Sequence, residues 1–454
     1  MKFTSKFFCR AVCFGALSIS ALAQGRLPYP NAITDRLLHD KTPMAPTPAR
    51  TVFTDPDFGS SMVRVTDQTT NPRVALSYFY NPSSGALAFN TDTTKFFLVG
   101  EHGIPLAFGF DPTSMAIHSL PGAGTGGALQ LPFFGGETTF SSTDPDLIFG
   151  VGDRTPLTVF SYRFSTAAST PIFNAPSACA TNPPISPTGT SNDLYTSVDD
   201  NRIVLAAGGT QFGNRTVVVV YDRKLGCRWY NTATGQIGGQ WGTLGTASVP
   251  GFKIRHVAIS GNGRYVKISQ DKLGFYFWDI ATLNVTVCLH GSVNRCDGYG
   301  SMGLNTYINE SGVIDEMNLV QRPMNNITAV SSIYSPFPLP HYWSMILHPS
   351  WSNARFDGDN APICGSTYSP TGVQQILQPF DGEIFCMETD GVASTIWRFA
   401  HDRSVWNPTY YWTDSLGNAS DDGRFFMFSS TWDGQVGLNH DADPRSDVWL
   451  VKLR

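Results

Sequence analysis

Charge is what this chain of 454 residues has least of: Asp, Glu, Lys and Arg make up 15% of it, against about 25% in ordinary globular domains. Helical surfaces are normally dressed in Glu, Lys and Arg, so their scarcity argues against a helix-built protein. After the N-terminus, no apolar run approaches the ~20 residues of a membrane-spanning helix. No C-x-x-C pair occurs, which weighs against metal held by cysteines, and no G-x-S-x-G elbow or H-x-x-x-H spacing is present. The formal net charge is −5, which argues against a nucleic-acid partner, since that needs a basic footprint.

What is present is turn and strand material. There are 43 Gly and 30 Pro, and aromatic residues make up 13% of the chain, a composition that predicts an all-β protein. The N-terminus has a different character. Lys2, Lys6 and Arg10 precede a short apolar run from Ala11 to Ala23, and Ala21-Leu22-Ala23 fits a small-x-small cleavage site. Residues 1–23 therefore read as a signal peptide, and the expected location is secreted or periplasmic. Losing them takes the formal charge from −5 to −8. Cys9 and Cys13 leave too, and Cys179, Cys227, Cys288, Cys296, Cys364 and Cys386 remain. Six cysteines in an exported chain predict disulfides. Of the possible pairings, the sequence-local set 179–227, 288–296 and 364–386 is expected, each stapling neighbouring strands.

One unit of syntax recurs: a small polar residue, a turn, then an apolar strand. It stands out in "NASDDGRFFMFSSTWDG" (418–434) and aligns with "VAISGNGRYVKIS" (257–269), "TSVDDNRIVLAAGG" (196–209), "SSTDPDLIFGVG" (141–152), "FNTDTTKFFLVG" (89–100) and "YINESGVIDEMNL" (307–319). A seventh copy, with an insertion between turn and strand, spans 345–366. The anchors Asn90, Ser141, Ser197, Ser260, Asn309, Pro349 and Ser420 lie about 40 to 70 residues apart, a spacing suited to blades of several short strands. The expected fold is a single all-β propeller over residues 61–454, most simply of seven blades, with six or eight as alternatives. "DVWLVKLR" (447–454) reads as a third strand with no fourth after it, so Met62 to Thr66 should complete the last blade and close the ring. Residues 24–60, rich in proline, form an extended lead-in on the surface.

The turn-strand units and the ending "YYWTDSLGNASDDGRFFMFSSTWDG…RSDVWLVKL" resemble TolB-type propellers, including the exported oligogalacturonate-lyase-like group. The resemblance covers most of the mature chain as architecture. It implies a propeller, and for the lyase group a divalent metal held largely by histidines, although no full ligand set aligns here.

In a propeller, the loops leading into the inner strands converge on one mouth. Here they carry Tyr78, Phe79, Tyr80, Asn81, Glu137, Asp193, Tyr195, Arg255, His256, Tyr299, His341, Tyr342, Trp343, Tyr410, Tyr411 and Trp412. Aromatic platforms with a few polar groups suit sugar rings, and His401, just upstream of the last blade, is expected to face the same mouth. Tyr80, Glu137, Tyr195, Trp343, Tyr411, Trp412 and His401 are thus candidates for binding a glycan. Packing between blades is the competing role for each aromatic. Were the mouth catalytic, a uronate-containing glycan cleaved by β-elimination is the expected reaction. Arg255 would neutralise the carboxylate, His256 or His341 would take the proton, and Tyr342 or Tyr410 would protonate the leaving oxygen. The alternative is a non-catalytic propeller that binds a protein partner. Either would act as a monomer. Two acidic loops, "DGDN" (357–360) and "DADPRSD" (441–447), could hold a Ca²⁺, though solvated surface loops are the commoner use of such sequences.

Overall fold

Continuous apolar runs such as Phe425-Phe426-Met427-Phe428, all with zero exposure, need a sheet covered on both faces. The computed structural model of the chain supplies that cover seven times. It describes residues 29–454 except 72, 84, 153–154, 182–183, 187–189, 210–212, 271–273, 290–299, 312–317, 335–345, 355–357, 369–378 and 390–394. Among the described residues the strands form seven antiparallel sheets of four to six strands each, the blades of a propeller. The proposed signal peptide lies outside the described residues.

The ring closes as the sequence suggests. Met62, Val63 and Arg64 pair with Val451, Leu450 and Trp449, so the N-terminal strand Ser61–Arg64 joins the last blade beside Asp447–Lys452. The seam is packed like the other blade contacts: Val63, Phe425, Met427 and Leu450 bury against Phe89, Phe96 and Phe108 of the first blade. Closure covers the outer edge of the C-terminal strand, which would otherwise be open to pairing with another chain.

The repeat has a local cause. Ser260 Oγ donates to Asn262 Oδ1 (2.7 Å) and accepts from the Tyr265 N–H (2.9 Å). Ser420 does the same with Asp422 (2.7 Å) and Phe425 (3.0 Å), and Ser197 with Asp199 (2.5 Å) and Arg202 (3.0 Å). At Asn90 the amide oxygen accepts from Lys95 N (2.8 Å). Each of these four anchors therefore closes the turn between a blade's first and second strands with its own side chain. The turns also tie blade to blade. Asp200 accepts from Ser141 Oγ (2.5 Å) and Ser142 N (2.9 Å), and Asp359 of the "DGDN" loop accepts from Leu304 N (2.5 Å) and Asn305 N (2.8 Å). That carboxylate serves the fold.

Two anchors sit elsewhere than expected. Asn309 lies inside the second strand of the fifth blade, Thr306–Ser311, and the true turn is at 303–305. Pro349 lies inside the inner strand Ile346–Ser350, and Trp351 begins the turn. At the anchor position these blades carry Gly303 and Trp351, whose side chains offer no oxygen to close the turn, so a neighbouring polar or turn-forming residue stands out in its place.

The lead-in is more than a surface ribbon. Val52–Thr54 forms a fifth, outermost strand on the closing blade, and Ile33 bridges to Arg398 on the outer strand of the sixth. Tyr29 is buried against Trp397 and Phe399, and Trp432 Nε1 donates to Met44 O (3.0 Å). Arg398, fully buried, donates to Glu383 (2.7 and 2.5 Å) and to Asp35 (2.9 Å), pinning the lead-in to the sixth blade.

Two disulfides match the expected pairing, Cys179–Cys227 and Cys364–Cys386. Cys288 is also disulfide-bonded, but Cys296 lies outside the described residues, and with it the third pair. No helix among the described residues is long and apolar enough to cross a membrane.

Candidate functional site

In each blade the loop before the inner strand and the loop between the second and third strands open on one face. At the junction of the seventh and first blades these loops bring an aromatic group together. Tyr78 and Tyr80 lead into the first blade, and Tyr410, Tyr411 and Trp412 form the turn before the inner strand Gly417–Ala419. Tyr78 stacks on Trp412 with ring centroids 3.9 Å apart and planes 11° apart. Tyr80 meets Tyr411 edge-on at 5.1 Å, and Tyr410 lies 5.0 Å from Trp412. Polar ends fix the rings in place: Tyr410 OH donates to Asp443 Oδ1 (2.6 Å) and Trp412 Nε1 to Pro444 O (2.8 Å). Tyr411 is 50% exposed, so the group presents a face to solvent. Burial, followed by neighbouring Tyr411, holds the Tyr78 and Tyr80 hydroxyls well above the usual tyrosine range, and both stay protonated.

Around the ring, a second constellation stands on the third and fourth blades. The inner strand Thr190–Thr196 is irregular in register around Asp193, which has φ 58°. Asp tolerates this left-handed conformation better than most residues. The Asp193 carboxylate reaches the next blade, where it accepts from Val257 N (2.9 Å) and lies 3.2 Å from His256 Nδ1. The His256 side chain is 43% exposed, and Asp193 fixes its Nδ1. Arg255 is half-buried beside it. Lys267 adds a second cation: burial pulls its ammonium down to about 8, partly opposed by Asp193, and Nζ sits 3.3 Å from Tyr307 OH over the rings of Phe275 and Tyr307.

Between these groups lie residues 81–83 and 85–87 of the first blade. Tyr195 OH donates to Ser83 Oγ (2.8 Å) from the third blade, and Asn418 Nδ2 donates to Ser83 O (3.0 Å) and Ala86 O (3.2 Å) from the seventh. Leu87 N donates to Thr139 Oγ1 (3.1 Å) of the second. The seventh and second blades flank the first, but the bond from Tyr195 skips a blade, so this part of the first blade reaches inward past its neighbour. Tyr195 is therefore buried against Ser83 and Ala86 rather than open to the mouth.

Sequence reasoning grouped residues that the fold separates. Tyr80, Tyr410, Tyr411 and Trp412 come together at one junction, while Arg255 and His256 stand on the fourth blade. His401 does not reach the mouth. It ends the outer strand Ile396–His401 of the sixth blade with zero exposure, packed on Phe58 (5.0 Å) and 3.7 Å from Asp57. An outermost strand is the one furthest from the axis, and burial pushes His401 down to about 3, so it is neutral. His348 is likewise buried and driven to about 3. His341, Tyr342, Trp343 and Tyr299 lie outside the described residues, as does the side chain of Glu137.

Asp193 was in the predicted ring. Lys267 was missed, because nothing local marks a strand lysine as covered by aromatic rings. Glu101 and His440 were missed as well. With Asp441 of the "DADPRSD" loop they form the one group among the described residues whose His and carboxylate atoms are spaced to hold a metal, all within 4.8 Å of one another.

No family model matches the chain, and no curated protein sequence matches it. Solved structures do. An oligogalacturonate lyase from Vibrio parahaemolyticus superposes with a TM-score of 0.53 at 11% identity, over 93% of this chain and 98% of that one. An oligogalacturonate lyase in complex with manganese gives 0.52 at 12% identity over the same shares. At such identities the likeness is one of fold: this chain is a seven-bladed propeller similar in architecture to those lyases.

Proposed function

We propose that this protein is an exported, monomeric propeller that binds a saccharide at its axial mouth. The observation that carries the reading is the aromatic group of Tyr78, Tyr80, Tyr410, Tyr411 and Trp412, drawn from two blades and open to solvent at Tyr411. Sugar rings stack their C–H faces on such platforms while their hydroxyls bond to polar neighbours. Export rests on residues 1–23 as a signal peptide and on the disulfides, which persist in oxidising compartments. The propeller is assigned to residues 61–454 and the lead-in to 24–60, with its strand Val52–Thr54 added to the closing blade.

A second reading, cleavage of a uronate-containing glycan by β-elimination, is favoured by the Asp193–His256 pair. His256 would take the proton α to the carboxylate, Arg255 or Lys267 would balance the carboxylate charge, and the leaving oxygen would accept a proton as the new C=C forms. Tyr410 is poorly suited as that acid, since its hydroxyl is committed to Asp443 on the far junction. His341 and Tyr342 keep their proposed roles as base and acid.

Titration calorimetry of the mature chain against acidic and neutral oligosaccharides tests the binding reading. Tyr411→Ala should weaken binding about tenfold without unfolding a half-exposed site. Absence of binding across the panel would refute the saccharide reading and favour a protein partner. Ultraviolet absorbance of an unsaturated uronate, lost in His256→Ala, tests cleavage separately.

A further inference from the structure

We propose that Glu101, His440 and Asp441 form a binding site for a divalent first-row transition cation at the seam where the ring closes. The site does not depend on the saccharide reading.

Its parts come from equivalent loops of adjacent blades. Glu101 lies in the turn between the second and third strands of the first blade, and His440 and Asp441 in the loop between the second and third strands of the seventh. His440 Nε2 is 3.4 Å from Glu101 Oε1 and 3.3 Å from Asp441 Oδ2. Bonds of about 2.0–2.1 Å at tetrahedral angles place two ligand atoms about 3.3–3.4 Å apart, so both separations suit a metal bound between them. The Glu101–Asp441 edge is the looser one. Asp441 is the most exposed of the three side chains, at 66%, and is free to turn inward.

An independent observation at Glu101 points to a ligand. The residue is 2% exposed, and its Oε2 has no hydrogen-bond partner. His102 Nε2 lies 3.6 Å from Oε1, and its side chain is 70% exposed. A buried carboxylate oxygen without a donor is costly, and a cation removes that cost. One imidazole nitrogen with two carboxylates suits Zn²⁺, Mn²⁺ or Co²⁺, whereas Ca²⁺ and Mg²⁺ prefer shells made of oxygen alone. Three protein ligands leave a coordination position open. Tyr78, one ring of the Tyr78–Trp412 stack, feels the charges of both Glu101 and Asp441, so the site borders the aromatic group.

Because the ligands meet only in the closed ring, the cation binds the folded state and not the unfolded one, and must stabilise it. The test uses the mature chain freed of metal with a chelator, then given ZnCl₂ or MnCl₂, with calorimetric Tm and titration heat as readouts. Zn²⁺ at about a hundred times its Kd should raise Tm by about 3 °C. Glu101→Gln and His440→Ala should each abolish the shift while keeping the circular dichroism and cooperative unfolding of the parent. No heat and no shift in the parent chain would overturn the proposal. So would a shift that survives both variants, or an equal one with CaCl₂ or MgCl₂. Saccharide binding is measured without metal, so either reading can fail alone.

Discussion

Asp447→Asn should open the closing seam. Asp447 begins the C-terminal strand with no exposure, and two guanidinium groups share its carboxylate. Arg64, from the N-terminal strand, donates through Nε (3.1 Å) and Nη2, and Arg445 donates through Nη1 (3.0 Å), while Thr66 Oγ1 adds a bond of 3.2 Å. The arginine side chains are themselves only 9% and 2% exposed. The amide keeps the shape and one acceptor but removes the negative charge, leaving two buried cations beside one another. Breaking a buried pair this way costs about 3–5 kcal/mol. At about 2.1 cal/mol/K per residue over the folded chain, that loss lowers Tm by about 3–6 °C. A control comes from the surface pair Arg163–Asp144, 41% and 33% exposed, where Asp144→Asn should cost less than about 1 kcal/mol because water screens it. Scanning calorimetry of the two variants beside the parent decides the matter. A Tm for Asp447→Asn within about 1 °C of the parent, or equal to that of Asp144→Asn, would refute the idea that this triad holds the ring shut.

Two further outcomes follow from buried groups and from the covalent staples. Burial pushes Asp402 and Asp414 up to about 7 and Asp55 up to about 6. These folded values lie above the unfolded one, so the stability the acids contribute is full below about pH 4 and is lost as pH rises through 6–7. His348 and His401, held down at about 3, work the other way and lose their contribution as pH falls below about 6.5. Asp402→Asn should therefore gain on the parent by on the order of 1–4 kcal/mol between about pH 5 and pH 8, read as Tm at the two pH values; a constant difference would show that Asp402 does not titrate there. Replacing Cys179 and Cys227 by Ala should cost about 4 kcal/mol and replacing Cys364 and Cys386 about 3 kcal/mol, because the loops they close span 48 and 22 residues. Chemical denaturation of the two double variants measures this, and the opposite order would contradict loop closure as the source.

What the sequence determined by itself is what local chemistry writes into it. Ser197, Ser260 and Ser420 each close a turn with a side-chain bond to the residue two ahead and the amide five ahead, so the same few letters recur and the blades can be read off. The strands that follow are apolar on both faces because each sheet is sandwiched, and the unpaired third strand at the C-terminus announces its partner at Met62. Where the turn is closed differently, in the fifth and sixth blades, the register slips to Asn309 and Pro349. Tertiary structure alone decided the rest. Whether a histidine near a blade boundary faces the axis depends on which strand carries it, and His401 fell on the outermost. Lys267 looks like any strand lysine until Tyr307 and Phe275 cover it. Glu101 and His440 stand far apart in the chain, on loops with no motif, and become neighbours only because the first and last blades meet when the ring closes.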